Sequence, residues 1–99
     1  MTTAELLPKA KKWLGYSSTV MDEEIEDDME ACLLDLKNSG VVVLDPADKL
    51  VATALKFHLK AYVEHGADWV KWDNSYEHLK KALSLSDDYN TEREVKAGD

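Results

Sequence analysis

Residues 22–30 read Asp22-Glu23-Glu24-Ile25-Glu26-Asp27-Asp28-Met29-Glu30, and this segment shows the strongest helical pattern in the chain. Seven of these nine residues are acidic, yet apolar residues recur through and beyond them at steps of three or four. Those apolar residues are Met21, Ile25, Met29, Cys32 and Leu36. The spacing predicts a helix with one buried face and one strongly negative face in water. Its first three carboxylates also favour the positive end of the helix dipole.

The whole chain shares this acidic character. Its 99 residues include 20 acidic and 12 basic residues, for a net charge of −8. A protein binds a phosphate backbone by neutralising it with Lys and Arg. The charge therefore disfavours nucleic acid or an anionic membrane as the main partner. The N-terminus lacks the pattern of a signal peptide, and no apolar run approaches the roughly 20 residues that a membrane helix needs.

Four helices are predicted from the spacing of apolar residues and from residues that favour helix ends. In chain order they run from a Thr3 cap to Gly15, from Thr19 or Asp22 to Asn38, from Asp45-Pro46 to Gly66, and from Asn74 or Ser75 to Leu85. The third helix has two apolar stripes and a narrow polar remainder, so we expect it at the centre of the domain. The stripes are Leu50, Ala54, Phe57 and Ala61, and Val51, Leu55, His58 and Tyr62.

Two segments fall outside these helices. Val41-Val42-Val43-Leu44 predicts a short strand or an extended connector on the core, and any strand pairing would need another chain. From Ser86 onward the apolar pattern stops, which predicts a loose C-terminus. The predicted fold is therefore all-α, a small bundle of about four helices with one short extended segment. We expect a helical domain at residues 1–89 and a flexible tail at residues 90–99.

The residues that could support chemistry do not form a catalytic or metal-binding set. Cys32, the only cysteine, lies on the buried stripe near acidic neighbours, which favours a core thiol over a nucleophile. His58 and His65 supply fewer ligands than a zinc site needs. The four glycines are isolated, so they form no phosphate-binding loop. We predict no catalytic residue, no cofactor and no metal, and hence a protein that is not an enzyme.

Three sets of charged and aromatic residues suggest an interaction surface instead, although each set has a second interpretation. The carboxylates of the second helix are either a solvated face or a functional electrostatic surface. The Lys49, Lys56 and Lys60 stripe is either the wet side of a central helix or a contact for the acidic helix of a neighbouring copy. Trp69 and Trp72 flank a predicted helix break and either close the core or form an interface. The candidate surface residues are Glu23, Glu26, Asp27, Glu30, Lys56, Lys60, Trp69, Trp72 and Tyr89.

The order of several segments resembles the bacteriophage head–tail connector, or adaptor, proteins of long-tailed phages and prophages. The most specific segment is Ser75-Tyr76-Glu77-His78-Leu79-Lys80-Lys81-Ala82-Leu83-Ser84-Leu85-Ser86-Asp87-Asp88-Tyr89. The other matching segments are Trp13-Leu14-Gly15, Asp22-Glu23-Glu24-Ile25, Asn38-Ser39-Gly40 with its valines, Asp45-Pro46-Ala47-Asp48, and Ala54 with Lys60-Ala61-Tyr62. The resemblance covers roughly residues 3–90.

The resemblance implies an all-α adaptor without catalysis. Such a protein assembles as a ring of about twelve copies beneath the portal. The ring extends the DNA channel and docks the next head-completion or tail component. The expected location is the head–tail interface of the virion, and the host cytoplasm during assembly. Nothing in the sequence indicates sequence-specific recognition of DNA.

Three other functions compete with this one. A helix-turn-helix regulator needs a basic and polar recognition helix, whereas the second helix here is acidic. A small enzyme would need a catalytic triad, a metal set or a phosphate loop. A free-standing acidic helical module, or an inhibitor that binds a basic protein partner, fits the second helix and is the main alternative.

Overall fold

The computed structural model describes residues 1–91, and the fold of this part of the chain is all-α, as predicted. The elements are α1 (Thr3–Leu14), α2 (Asp22–Asn38), α3 (Lys49–Leu59), a π-helical segment (Lys60–Glu64), α4 (Trp69–Leu85) and the short α5 (Asp87–Asn90). The π-helical segment continues α3 without a break. Most of the predicted flexible tail, residues 92–99, lies outside the described residues, so the proposed boundary of the domain stays a prediction.

Helix α1 begins one residue earlier than the sequence suggests. Thr2, and not Thr3, is the cap: its side chain accepts a hydrogen bond from the Glu5 amide, and the Glu5 side chain accepts one from the Thr2 amide. This reciprocal pair satisfies two amides that the first turn leaves without partners. Gly15 ends the helix as predicted, with a φ of 75° that favours glycine.

The core lies between α2 and α3, with α1 and α4 packed around them. The predicted stripe of α2 is confirmed for Ile25, Met29, Cys32 and Leu36, which are all fully buried. Met21 lies at the cap of the helix and is half-buried. Helix α3 contacts α1, α2 and α4, which confirms its central place. Its buried side chains, however, mix the two predicted stripes: Leu50 and Tyr62 are exposed. The residues buried in this part of the chain are Val51, Ala54, Leu55, Leu59 and Ala61.

Both ends of α3 differ from the prediction. Asp45-Pro46 forms a turn, in which the Asp45 side chain accepts a hydrogen bond from the Ala47 amide. The cap is Asp48, whose Oδ1 accepts from the amides of Leu50 and Val51. At the other end, His65 takes the left-handed conformation with a φ of 46° that the sequence assigns to Gly66.

Helix α4 is longer than predicted and has no break at its aromatic residues. It begins at Trp69 instead of Asn74 or Ser75, so Trp69 and Trp72 lie in its first turns. The His65 ring stacks on Trp69 with centroids 4.7 Å apart, and Phe57 packs against Trp72 at 5.7 Å. These contacts, made with residues outside α4, explain why the helix extends through a stretch with a weak apolar pattern.

The segment after Ser86 is not loose up to residue 91, and this corrects the prediction. Helix α5 places the Tyr89 carbonyl where it accepts hydrogen bonds from the amides of Val42 and Val43, at 2.7 and 3.3 Å. The Tyr89 hydroxyl donates to the Asp48 carboxylate at 3.1 Å. Residues 41–44 are thus an extended connector and not a strand, and α5 binds it within the same chain.

Candidate interaction surface

Apart from Glu24, which is exposed, the acidic residues of α2 divide into two groups by their surroundings. On the flanks of the helix, carboxylates pair with neighbouring helices. Asp22 Oδ1 lies 2.9 Å from the ammonium of Lys11 on α1. Asp28 Oδ2 lies 2.8 Å from Nδ1 of His58 on α3, and both side chains are largely buried. These pairs fix α2 against the rest of the bundle.

Asp35 lies on the same flank of α2 as Asp28, which we call the inner flank, and it contacts α4. Its Oδ2 accepts hydrogen bonds from the Tyr76 hydroxyl at 2.6 Å and from the Lys80 ammonium at 3.0 Å. Burial alone would raise the pKa of this carboxyl, but these two donors outweigh it and hold the pKa below its ordinary value. Burial and then nearby negative charge raise the pKa of Tyr76, so its hydroxyl stays protonated and remains a donor.

The second group faces away from the bundle. Glu23, Asp27 and Glu30 are exposed and Glu26 is half-buried. None of the four forms an ion pair with another residue in the range 1–91. Each of them has one member of the set three residues away and another four residues away, so the four share one side of the helix. We call Glu23, Glu26, Asp27 and Glu30 the outward carboxylates. Leu34, which is 58% exposed, extends the same side by one turn.

A basic groove lies between α1 and the start of α3. Lys9 and Trp13 come from α1, and Lys49 and Lys56 come from α3. Its volume is about 450 Å³, and its lining within residues 1–91 contains no carboxylate. The remaining lining residues are Met1, Leu6, Pro46, Ala47, Ala52 and Thr53. In a chain with a net charge of −8, this groove is a local concentration of positive charge beside an aromatic ring.

The structure separates Lys60 from the lysines with which the sequence groups it. The Lys60 ammonium lies 3.4 Å from a Glu64 oxygen and 5.7 Å from the centre of the Trp72 ring. Lys56, by contrast, lines the groove. Lys60 is therefore engaged within its own chain, and the predicted stripe of three lysines reduces to Lys49 and Lys56.

The aromatic candidates are also engaged within the chain. Trp69 stacks on His65, Trp72 packs on Phe57, and Tyr89 joins the connector and Asp48. All three side chains are half-buried. They hold helices together, and they leave only part of each ring for contact with a partner.

The side chains that could react or bind a metal do not form a reactive site in the described part of the chain. Cys32 is fully buried, and its thiol points at the Ala54 carbonyl at 3.9 Å. Burial raises the pKa of this thiol to about 12, which keeps it neutral and unreactive. The residues that the structure describes contain no cluster of three or more His, Cys, Asp or Glu side chains suited to a metal ion. No helix in the range 1–91 is long and apolar enough to span a bilayer.

Sequence reasoning missed two components of these surfaces. Lys9 and Trp13 are four residues apart and so share a side of α1, but only the packing of α1 on α3 shows that they join Lys49 and Lys56. The Asp28–His58 pair joins residues on different helices, and no local pattern predicts it. The sequence separates polar from buried positions on α2, but on α3 it does so only in part. It does not show which polar positions from different helices meet.

The fold and the surface define an all-α domain with an acidic outer helix and a basic groove. No known protein family, curated protein or solved structure matches the chain. The resemblance to phage head–tail connectors therefore depends on the sequence segments alone.

Proposed function

We propose that this protein is a structural adaptor of the phage head–tail connector type. In this role it forms a ring of about twelve copies beneath the portal, extends the DNA channel and docks the next head-completion or tail component. It acts at the head–tail interface of the virion, after assembly in the host cytoplasm. It needs no cofactor and performs no catalysis.

The outward carboxylates of α2 are the observation that supports this role most strongly. They belong to a helix whose opposite side is fully buried and whose flanks are paired with α1 and α3. The acidic surface is thus held on a rigid helix and is available to a partner. In a ring of such copies, this surface can pair with a basic surface on a neighbouring copy.

A ring also requires two different surfaces on each copy, because a head-to-tail contact joins unlike patches. The outward carboxylates and the basic groove are two such patches of opposite charge. The segments that resemble connector proteins include the start of α2 and residues 75–89, which cover most of α4 and α5. The first of these carries Glu23, and the second supports α2 through Tyr76 and Lys80.

Genomic context and direct imaging test the proposal. Genes for a portal and a major capsid protein are expected beside the gene for this chain. Co-expression with that portal protein should yield complexes in which electron microscopy shows an added ring on the portal. A chain that sediments as a strict monomer both with and without the portal would contradict the proposed role.

The second candidate is a free-standing acidic module that binds a basic protein. Leu34 favours it, because an exposed apolar side chain at the end of an acidic surface is suited to a partner with both basic and apolar groups. This candidate predicts a tight complex with a single basic protein and no affinity for a portal. Titration of the chain with the portal protein, followed by calorimetry, separates the two candidates.

A further inference from the structure

We infer that the basic groove of one copy binds the outward carboxylates of a second copy. The contact is heterologous, because it joins two different surfaces. Its location between neighbouring copies of a ring rests on the proposed function. The occupant of the groove is α2 of the next copy, with its Glu23 and Glu30 placed against Lys49 and Lys56.

The spacing of the charges on the two surfaces matches. Glu23 and Glu30 are separated by seven residues on α2, and Lys49 and Lys56 by seven residues on α3. Seven residues make about two helical turns, or about 10 Å, so each pair lies on one side of its helix. Two helices packed side by side can therefore bring both acidic groups to both lysines. Lys9 on α1 adds a third cation to the groove.

The groove also offers an apolar contact. Trp13, Leu6 and Ala52 line it between the lysines. Leu34 lies on the same side of α2 as the outward carboxylates, and 58% of its surface is exposed. Leu34 can therefore contact the apolar lining beside the charged pairs, and specific interfaces combine apolar and charged contacts in this way.

The two surfaces of one copy cannot meet each other. Helix α2 packs against both α1 and α3 with its buried stripe, which includes Ile25, Met29 and Cys32. The outward carboxylates lie on the opposite side of α2 and therefore face away from the groove between α1 and α3. Contact between these surfaces requires two copies. Because the two surfaces differ, each bound copy presents a further groove and a further acidic surface.

A charge-swap experiment with the full chain tests this interface. The groove variant has Lys49→Glu and Lys56→Glu, and the surface variant has Glu23→Lys and Glu30→Lys. Sedimentation velocity over a concentration series at low ionic strength reports self-association of each. We expect wild-type chain to associate and each variant alone to associate at least about tenfold more weakly, because like charges then meet. A mixture of the two variants should recover association, since every contact in an alternating assembly again joins opposite charges.

A control separates this effect from net charge. Lys71→Glu with Lys81→Glu alters two exposed lysines of α4, which lie outside both surfaces, and changes the net charge as the groove variant does. This control should associate like wild type, and the circular dichroism of all variants should report an unchanged fold. A wild-type chain that stays monomeric at every concentration would overturn the interface, and so would variants that associate normally or a mixture that does not recover.

The result is distinguishable from failure of the adaptor role. If the groove variant still forms a normal ring on the portal, the interface is wrong and the adaptor role stands. If the charge-swap mixture recovers association but neither wild type nor mixture binds the portal, the interface stands and the adaptor role is wrong.

Discussion

The outward side and the inner flank of α2 have the same kind of side chain in different surroundings. Asp27 is exposed and has no ion pair with a residue in the range 1–91, whereas the adjacent Asp28 is largely buried against His58. One residue of displacement, about 100° around the helix, separates a carboxylate available to a partner from one that holds the fold together. Acidic residues that are consecutive in the sequence can therefore have different structural roles.

The comparison also explains why the helix tolerates so much negative charge. Asp22, Asp28 and Asp35 each meet a donor or a cation on another helix. The outward carboxylates remain in water, where their repulsion is screened. The paired carboxylates are therefore stabilised by contacts with other helices, and the outward carboxylates are stabilised by water.

The largest contrast should appear in the reactivity of thiols placed on the two sides. Cys32 on the buried side should react with iodoacetamide at pH 8 about a thousandfold more slowly than a cysteine at position 27, introduced as Asp27→Cys with Cys32→Ala. Burial and a pKa raised to about 12 leave almost no accessible thiolate at Cys32. Mass spectrometry over time measures both rates. Similar rates would show that the stripe of α2 is not stably buried.

The next contrast is in stability, between Asp27→Ala and Asp28→Ala. Both changes raise helix propensity equally, so each controls for the other. Asp28→Ala leaves the buried His58 ring without its partner and should lower the free energy of unfolding by about 1–3 kcal/mol. Asp27→Ala should stay near wild type. Urea denaturation measures both, and equal stabilities would refute the division of the helix into two sides.

The smallest contrast is in the response to acid. The folded pKa of Asp35 lies below its unfolded value of about 3.9. Its contribution to stability is therefore complete above that value and is lost as the pH falls through the folded pKa. The side chain is 43% exposed, so the contribution stays below about 1 kcal/mol. Asp35→Asn should be less stable than wild type at pH 7 and should approach it in acid, as thermal melts can show. Asp27→Asn is the control, and its melting profile against pH should follow that of wild type.

Local patterns predicted the parts of the fold that depend on local physics. The stripe from Ile25 to Leu36 was identified because a helix buries every third or fourth residue. Gly15 was identified as a helix end because its left-handed φ favours glycine. The fold class follows from such features, since no segment of the chain alternates as a paired strand would.

The incorrect boundaries have a common physical cause. Helix α4 begins at Trp69 because that ring stacks on His65, which lies outside the helix. The segment after Ser86 is ordered up to residue 91 because Tyr89 meets the connector and Asp48, which are distant in sequence. The basic groove likewise combines Lys9 with Lys56. Contacts between residues that are distant in sequence determine all three features, and the spacing of apolar residues does not predict such contacts.

The hydrogen bonds from Val42 and Val43 to Tyr89 have a consequence for synthesis on the ribosome. Val42 and Val43 are synthesised 46 residues or more before Tyr89, whose carbonyl accepts their hydrogen bonds. Until then the nascent polypeptide presents an extended, β-branched segment with open amides, the kind of edge that recruits other chains. Contact with Tyr89 therefore satisfies these amides and withdraws them from contact with other chains.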